Sequence, residues 1–158
     1  MFREAFMTIP RFRAFAWAAA FGLMAAFTSV VQANSFEYEN YVFHYNALRT
    51  DELPVESTQK AGIVRSRNRG MINLALRQKS ADGSTVALPA EISASAVNLN
   101  NQYRELTLRE MRDGDAIYYI SDFPISGRET LRFQVNVLPE GAKKPFKVQF
   151  EKQFFTDP

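Results

Sequence analysis

The sequence predicts an all-β domain: an antiparallel β-sandwich of immunoglobulin-like class, with about seven strands and one short helix. Three observations predict it. Apolar residues recur at every second position over much of the chain, as they do on half-buried strands. Turn dipeptides (Asp82-Gly83, Asn100-Asn101, Asp113-Gly114) separate the alternating runs. Helical periodicity is confined to one stretch of a turn or two. A small closed barrel is the alternative arrangement of the same strands.

The chain divides before the first strand. Arg3, Arg11 and Arg13 give a basic start, and Ala14 to Phe27 is an uncharged apolar run. Val31 and Ala33 then supply the small residues that precede a cleavage site. This pattern reads as a secretory signal peptide over 1–33, cleaved after Ala33, with the periplasm as destination and 34–158 as a single domain. An uncleaved anchor is the rival, since Ala14 to Val31 reaches the lower length limit of a spanning helix. The polar residues directly after the apolar run favour cleavage, leaving no stable membrane span. There is no cysteine, which excludes a lipid-modified cysteine and leaves the domain to be held by packing alone.

Charge also depends on the leader. Of 19 basic and 17 acidic residues, residues 1–33 hold three and one, which leaves 16 of each in 34–158. A neutral domain lacks the basic field that nucleic acid requires, so nucleic acid is not expected as a partner.

The strands follow in order. Tyr41 to Ala47, Met71 to Gln78, Thr85 to Val97, Tyr103 to Met111 and Ala116 to Asp122 read as strands. Leu131, Phe133, Val135 and Val137 alternate with Arg132, Gln134 and Asn136; Phe146, Val148 and Phe150 alternate with Lys147 and Gln149. Pro139-Glu140-Gly141 joins these last two. Asp82-Gly83 between two apolar runs is the strongest hairpin signal. Pro54 to Ala61 reads as the helix, with proline at its first position and Gly62 just past its end.

Phe43 to Leu48 (FHYNAL), Arg65 to Asn73 (RSRNRGMIN), the segment Asn98 to Glu110, Ala116 to Ser126 (AIYYISDFPIS) and Glu129 to Val137 (ETLRFQVNV) occur in that order. Together they resemble domain of unknown function 4426, a family of small exported proteins of Gram-negative bacteria. The resemblance covers essentially all of 34–158 and implies a β-rich exported domain. It implies no activity, cofactor or site residue.

Candidate chemistry is sparse. Arg65, Arg67 and Arg69 stand at alternate positions; if extended, they would form a comb with neighbours about 6.5–7 Å apart, whereas a turn at Asn68-Arg69-Gly70 would break it. Such a comb can clamp an anionic ligand, or it is a wet strand face paired with acids such as Glu105 or Glu110. The wet face is the reading we prefer. His44 is the sole histidine, so sites that need two imidazoles are excluded, and the absence of cysteine removes ordinary structural zinc. His44 reads as an ordinary strand histidine with one hydrogen-bond partner, on the face of Val42, Asn46 and Leu48. A serine triad survives the count, yet there is no G-x-S-x-G elbow. Carboxylate pairs are numerous but no spacing places them across a cleft. Asp113-Gly114-Asp115 lacks the spacing of a calcium loop and reads as a hairpin turn. Of Tyr118 and Tyr119, one packs inward and the other faces out.

Three functional classes remain: a non-catalytic exported module that binds an envelope protein or other component, a binder of a small anionic molecule through Arg65, Arg67 and Arg69 with His44 as a further candidate, and an unrecognised hydrolase. The first is preferred. No cofactor or metal is called for.

Overall fold

Period-two alternation becomes two stacked antiparallel sheets. The structure, a computed structural model, describes residues 34–156; the leader read at 1–33 lies outside the described residues. Among them are ten strands: β1 Asn34–Tyr38, β2 Tyr41–Arg49, β3 Arg69–Lys79, β4 Thr85–Ala87, β5 Ala90–Asn98, β6 Tyr103–Leu106, β7 Arg109–Asp113, β8 Ala116–Pro124, β9 Arg128–Pro139 and β10 Phe146–Phe155. The helix α1 spans Val55–Ala61. One sheet runs β1-β2-β3-β8-β7, with β4 also paired to β3; the other runs β10-β9-β5-β6. The two share no ladder, so the molecule is a sandwich and not a closed barrel.

The core sits between the sheets. On β9, Leu131, Phe133, Val135 and Val137 are buried while Arg132, Gln134 and Asn136 are exposed. Register carries the pattern to β10, where Val148 faces Val135 and Phe150 faces Phe133 with ring centroids 4.9 Å apart. The opposite sheet contributes Phe43, Ile72, Leu74 and Leu76, all fully buried. Each such side chain is worth about 1.5–3 kcal/mol in burial.

Seven expected strands become ten through one addition and two splits. β1 is the addition, an exposed edge strand registered on β2. The run 85–97 breaks at Leu88-Pro89, where proline has no N–H for a ladder. The run 103–111 breaks at Thr107-Leu108. At both breaks the chain leaves one sheet and joins the other. Periodicity survives such a crossing and therefore cannot reveal it.

The turns fall where the dipeptides place them. Asp82 accepts the Ser84 backbone N–H (2.9 Å) and hydroxyl (2.6 Å) in the β3–β4 hairpin. Gly114 and Asp115 form the β7–β8 hairpin loop between paired Asp113 and Ala116. Pro54 is the residue before α1 and not its first helical residue, one position earlier than expected. Gly62 ends the helix at φ 63°, a left-handed conformation that only glycine adopts freely.

Candidate functional site

The outward face of the six-stranded sheet is not built as a solvent face. Val42, His44, Asn46 and Leu48 on β2 share it with Met71, Asn73, Ala75 and Arg77 on β3 and with Tyr118, Ile120 and Asp122 on β8, because their sequence neighbours face the core. At one end α1 and the segment after it cover this face. Ile63, Met71 and Ile120 are buried there, with Leu48, Leu53, Ala61, Met111 and Tyr118 against them. Three contacts hold the cover in place. The buried Thr50 hydroxyl shares its one proton between the carbonyls of Val64 (2.9 Å) and Ser66 (3.1 Å) and accepts the Ser66 N–H (2.9 Å). Arg109 Nη1 donates to the Ala61 carbonyl (3.2 Å), and Lys60 pairs with Asp113 (2.6 Å).

At the other end the face stays open, for two reasons. Seven helical residues span only about 10 Å. In addition, β3 changes partners: β8 follows it as far as Leu74, and β4 takes over at Arg77. Ala75, Ala87 and Ala116 line this fork, and alanine leaves it unfilled. A cavity of about 240 Å³ lies at this fork and adjoins one of about 260 Å³ beneath α1; Asn73 and Tyr118 border both, and the two form a trough. His44, Asn46 and Arg77 line the first; Met71, Met111 and Lys60 line the second.

Two groups in the trough lack the partners a settled surface would give them. Asn73 Oδ1 is buried without a hydrogen bond. Such an atom costs about 1–3 kcal/mol in a closed structure, and most buried polar atoms have a partner. Arg77 is half-buried; it donates from Nε to Thr85 Oγ1 (2.7 Å) and from Nη2 to the Thr85 carbonyl (2.6 Å), both uncharged acceptors. His44 is held below the usual imidazole pKa, first by burial and then by the Arg77 charge, so its ring is neutral at pH 7. The open end offers a cation, a neutral imidazole and an aromatic wall: the makings of a small-ligand site.

The sequence profile of the family described as "Domain of unknown function (DUF4426)" matches residues 35–157. The chain belongs to the DUF4426 family. A crystal structure of a DUF4426 family protein from Pseudomonas aeruginosa has a TM-score of 0.68 at 28% identity, covering 80% of this chain and 97% of that one. FetP of uropathogenic Escherichia coli, recombinantly expressed in the periplasm, has a TM-score of 0.56 at 16% identity, covering 78% and 93%. A copper-bound FetP variant has a TM-score of 0.55 at 15% identity, covering 77% and 94%. The likeness to FetP is one of fold alone. No curated protein matches the chain. Among the described residues of this DUF4426 protein, no helix is long and apolar enough to cross a membrane.

The residues singled out from the sequence fall in two places. The expected comb does not form, because the chain is not extended through 63–69. Arg65 lies in an irregular segment, Arg67 in a turn closed by Arg69 N–H to Ser66 O (3.4 Å), and Arg69 opens β3. Thr50 imposes this path by holding both sides of Arg65. Arg65 donates to the Asp51 carbonyl (2.5 Å), Arg67 is exposed, and Arg69 pairs with Asp122 on β8 through Nε (3.0 Å) and Nη2. The counter-charge is thus Asp122, and the acids expected to pair with the row lie elsewhere, Glu110 against Arg112 (2.7 Å). His44 is on the expected face and in the trough, yet among the described residues its ring has no hydrogen-bond partner where one was expected. Arg69 and Arg77 stand at opposite ends of β3, about 26 Å apart, so the arginine row and His44 do not form one site.

Sequence reasoning missed Asn73 and Arg77. A faint signal exists, since Asn46 and Asn73 are mid-strand amides that face each other across the ladder, and asparagine is depleted in strands. The tyrosine pair reads as expected: Tyr119 turns inward and accepts the Ala90 N–H (2.9 Å), while Tyr118 faces the trough.

Proposed function

We infer that this chain is a non-catalytic binding module of the bacterial envelope, and that its binding site is the trough on the outward face of the six-stranded sheet. One observation carries the reading: where α1 stops short, the outward face stays open as a trough lined by His44, Asn73, Arg77 and Tyr118.

The leader pattern supports export, with 1–33 removed after Ala33 and 34–158 released into the periplasm as one domain. FetP, of similar fold, was expressed in that compartment. Its bound copper is not carried over. His44 is the chain's one histidine, and Met71 and Met111 belong to the apolar cluster under α1. Among the described residues no group of three or more His, Asp or Glu converges on one point.

A native chain and an Asn73→Leu variant, both recovered from cells and heated with a small-molecule extract of the envelope, test the reading. A ligand that binds only the folded state stabilises it by RT ln(1 + c/Kd), where c is its free concentration. The extract is expected to raise the melting temperature of the native chain alone. Equal shifts in both chains, or no shift in either, would sink the trough as the site. Export is read from emission: Trp17 is the single tryptophan, so processed protein shows tyrosine emission only.

A further inference from the structure

The four-stranded sheet stops one strand short of the other. Phe150 on β10 packs on Tyr45 of β2 with ring centroids 4.4 Å apart, and Phe146 meets Phe43 at 6.1 Å, so β10 lies opposite β2. β1 lies one strand further out, and the four-stranded sheet ends at β10. Phe36 and Tyr38 pair in register with Phe43 and Tyr41 and therefore face inward, yet they are 38% and 36% exposed. The Phe146 ring reaches them from the start of β10, at 6.2 and 4.8 Å. Among the described residues no strand fills the place beside β10 beneath these two rings. The backbone along that place is free. Thr156 N–H donates to the Gly127 carbonyl (3.0 Å), in the register of the β9–β10 ladder. Antiparallel partners alternate between pairs that exchange both hydrogen bonds and pairs that exchange none. Even-numbered residues of β10 thus bond to β9, while Lys147, Gln149, Glu151, Gln153 and Phe155 turn N–H and C=O to the open edge. The Phe155 carbonyl agrees with this phase, since it accepts Arg49 Nη1 (2.6 Å) from outside the ladder.

We propose that the open edge of β10, from Phe146 to Glu151, takes an extended acidic segment of a partner protein as an added strand, lodged beneath Phe36 and Tyr38. This surface is independent of the trough. The occupant is a strand, because a row of unpaired N–H and C=O groups is a template for one. It is short. Lys152 puts an exposed charge at an inward-facing position, opposite Leu131, and Arg49 occupies the Phe155 carbonyl, so the far half of the edge is blocked. The near half has neither proline nor bulge, and its inward-facing residues are Phe146, Val148 and Phe150. The segment's inward side chains are therefore apolar. Its outward side chains are acidic: Lys147 projects from the open stretch and Lys143 and Lys144 precede it, all exposed and without an ion pair among the described residues. Glu151, by contrast, is already paired with Arg132 (2.9 Å). A second copy of β10 fits poorly. Pairing about a two-fold axis would bring that copy's β2 over the added strand, where β1 already lies.

The experiment is a nuclear magnetic resonance titration of the isotope-labelled protein, as recovered from cells, with three short peptides. One alternates glutamate and valine, one alternates lysine and valine, and the third is the acidic peptide with proline at its centre. In the free protein the amides of Lys147, Gln149 and Glu151 are expected to exchange quickly and those of Val148 and Phe150 slowly. The acidic peptide should shift those three amides together with Phe36 and Tyr38, slow their exchange, and bind at least about threefold tighter than the basic one. Lys147→Glu should abolish that preference. Gln149→Pro removes an edge N–H, leaves the ladder to β9 whole and should abolish binding. If it fails to fold, Tyr38→Ser at an exposed position replaces it, with weaker binding expected. Equal binding of acidic and basic peptides overturns the proposal, as do undiminished binding of the proline peptide, shifts confined to the trough, and silence of the β10 amides towards all three. Protection of Lys147, Gln149 and Glu151 that grows with protein concentration, without peptide, overturns it in favour of a second copy.

Discussion

The outward faces of the two sheets are built by different rules. On the four-stranded sheet, Glu91, Ser93, Arg132, Gln134, Asn136, Lys147 and Gln149 point to solvent and are exposed, and Arg132 meets Glu151 across the ladder at 2.9 Å. That is what a strand face in water requires and nothing more. On the six-stranded sheet, the same outward positions hold Met71, Ile120, Asn73, Ala75 and Tyr118, under a short helix that covers half of them. Both faces alternate with the core at period two, so alternation says nothing about which is functional. The difference lies in unmet demand: the first face has its hydrogen bonds in solvent, while the second holds a buried acceptor and an unpaired cation.

The comparison breaks first at the core, where the largest effect is expected. Phe133 is fully buried between the sheets and Gln134, its neighbour, points outward on the plain face. Phe133→Ala should cost about 3–5 kcal/mol in a denaturant titration, and Gln134→Ala at most about 0.5. Similar small losses at both would mean that the four-stranded sheet is not packed as described.

The cover over the second face comes next. Thr50 is wholly buried; its hydroxyl accepts the Ser66 N–H and shares its one proton between the Val64 and Ser66 carbonyls. Thr50→Val keeps the volume and removes the hydroxyl, which leaves the Ser66 N–H without its acceptor. We expect a loss of about 1–3 kcal/mol, with faster amide exchange concentrated at Ser66. Exchange that rises uniformly over the molecule would show that Thr50 serves the core and not the cover.

A smaller effect of opposite sign is expected at Asn73. Replacing an orphaned buried acceptor by an apolar group of similar size removes a desolvation cost without removing a bond. Asn73→Leu should therefore leave stability unchanged or raise it by up to about 1 kcal/mol in ligand-free protein. A clear loss would mean that Oδ1 has a partner, such as a bound water, and that the trough floor is already satisfied.

These residues also mark how far the sequence could be read. Leu131 to Val137 and Phe146 to Phe150 were legible because one face is wholly buried and the other wholly wet, which is the case that period two detects. The arginine row misled for a physical reason. Alternate arginines resemble a strand face, but the path from Ile63 to Asn68 is set by Thr50, fourteen and sixteen residues from the carbonyls it holds. Asn73-Leu74-Ala75-Leu76-Arg77 reads as an unremarkable half-buried strand. The trough depends on β3 exchanging β8 for β4 beside Ala75, and a change of strand partner leaves no trace in a local pattern.

The smallest effect sharpens the comparison by pH. His44 lies on the second face, and its pKa is lowered from 6.5 by burial and by the nearby Arg77 charge. The sign follows from which state takes up the proton first. Well above pH 6.5 the imidazole is neutral in both folded and unfolded chains, and the stability is fully present. As pH falls through 6.5, the unfolded chain protonates while the folded chain resists, so stability declines until the folded pKa is passed. Carboxylates elsewhere add their own acid dependence, which a His44→Gln variant shares. The difference between the two chains isolates the imidazole. We expect native protein to lose more stability than His44→Gln between pH 7.5 and 5.5, as read from urea midpoints at both values, and by less than any change above. Identical slopes would place His44 in open water, on a face like that of the other sheet. A native chain that instead gains on His44→Gln as pH falls would mean that protonated His44 has a carboxylate beside it, and the cavity at the fork, which no acid lines among the described residues, would then not be built as described.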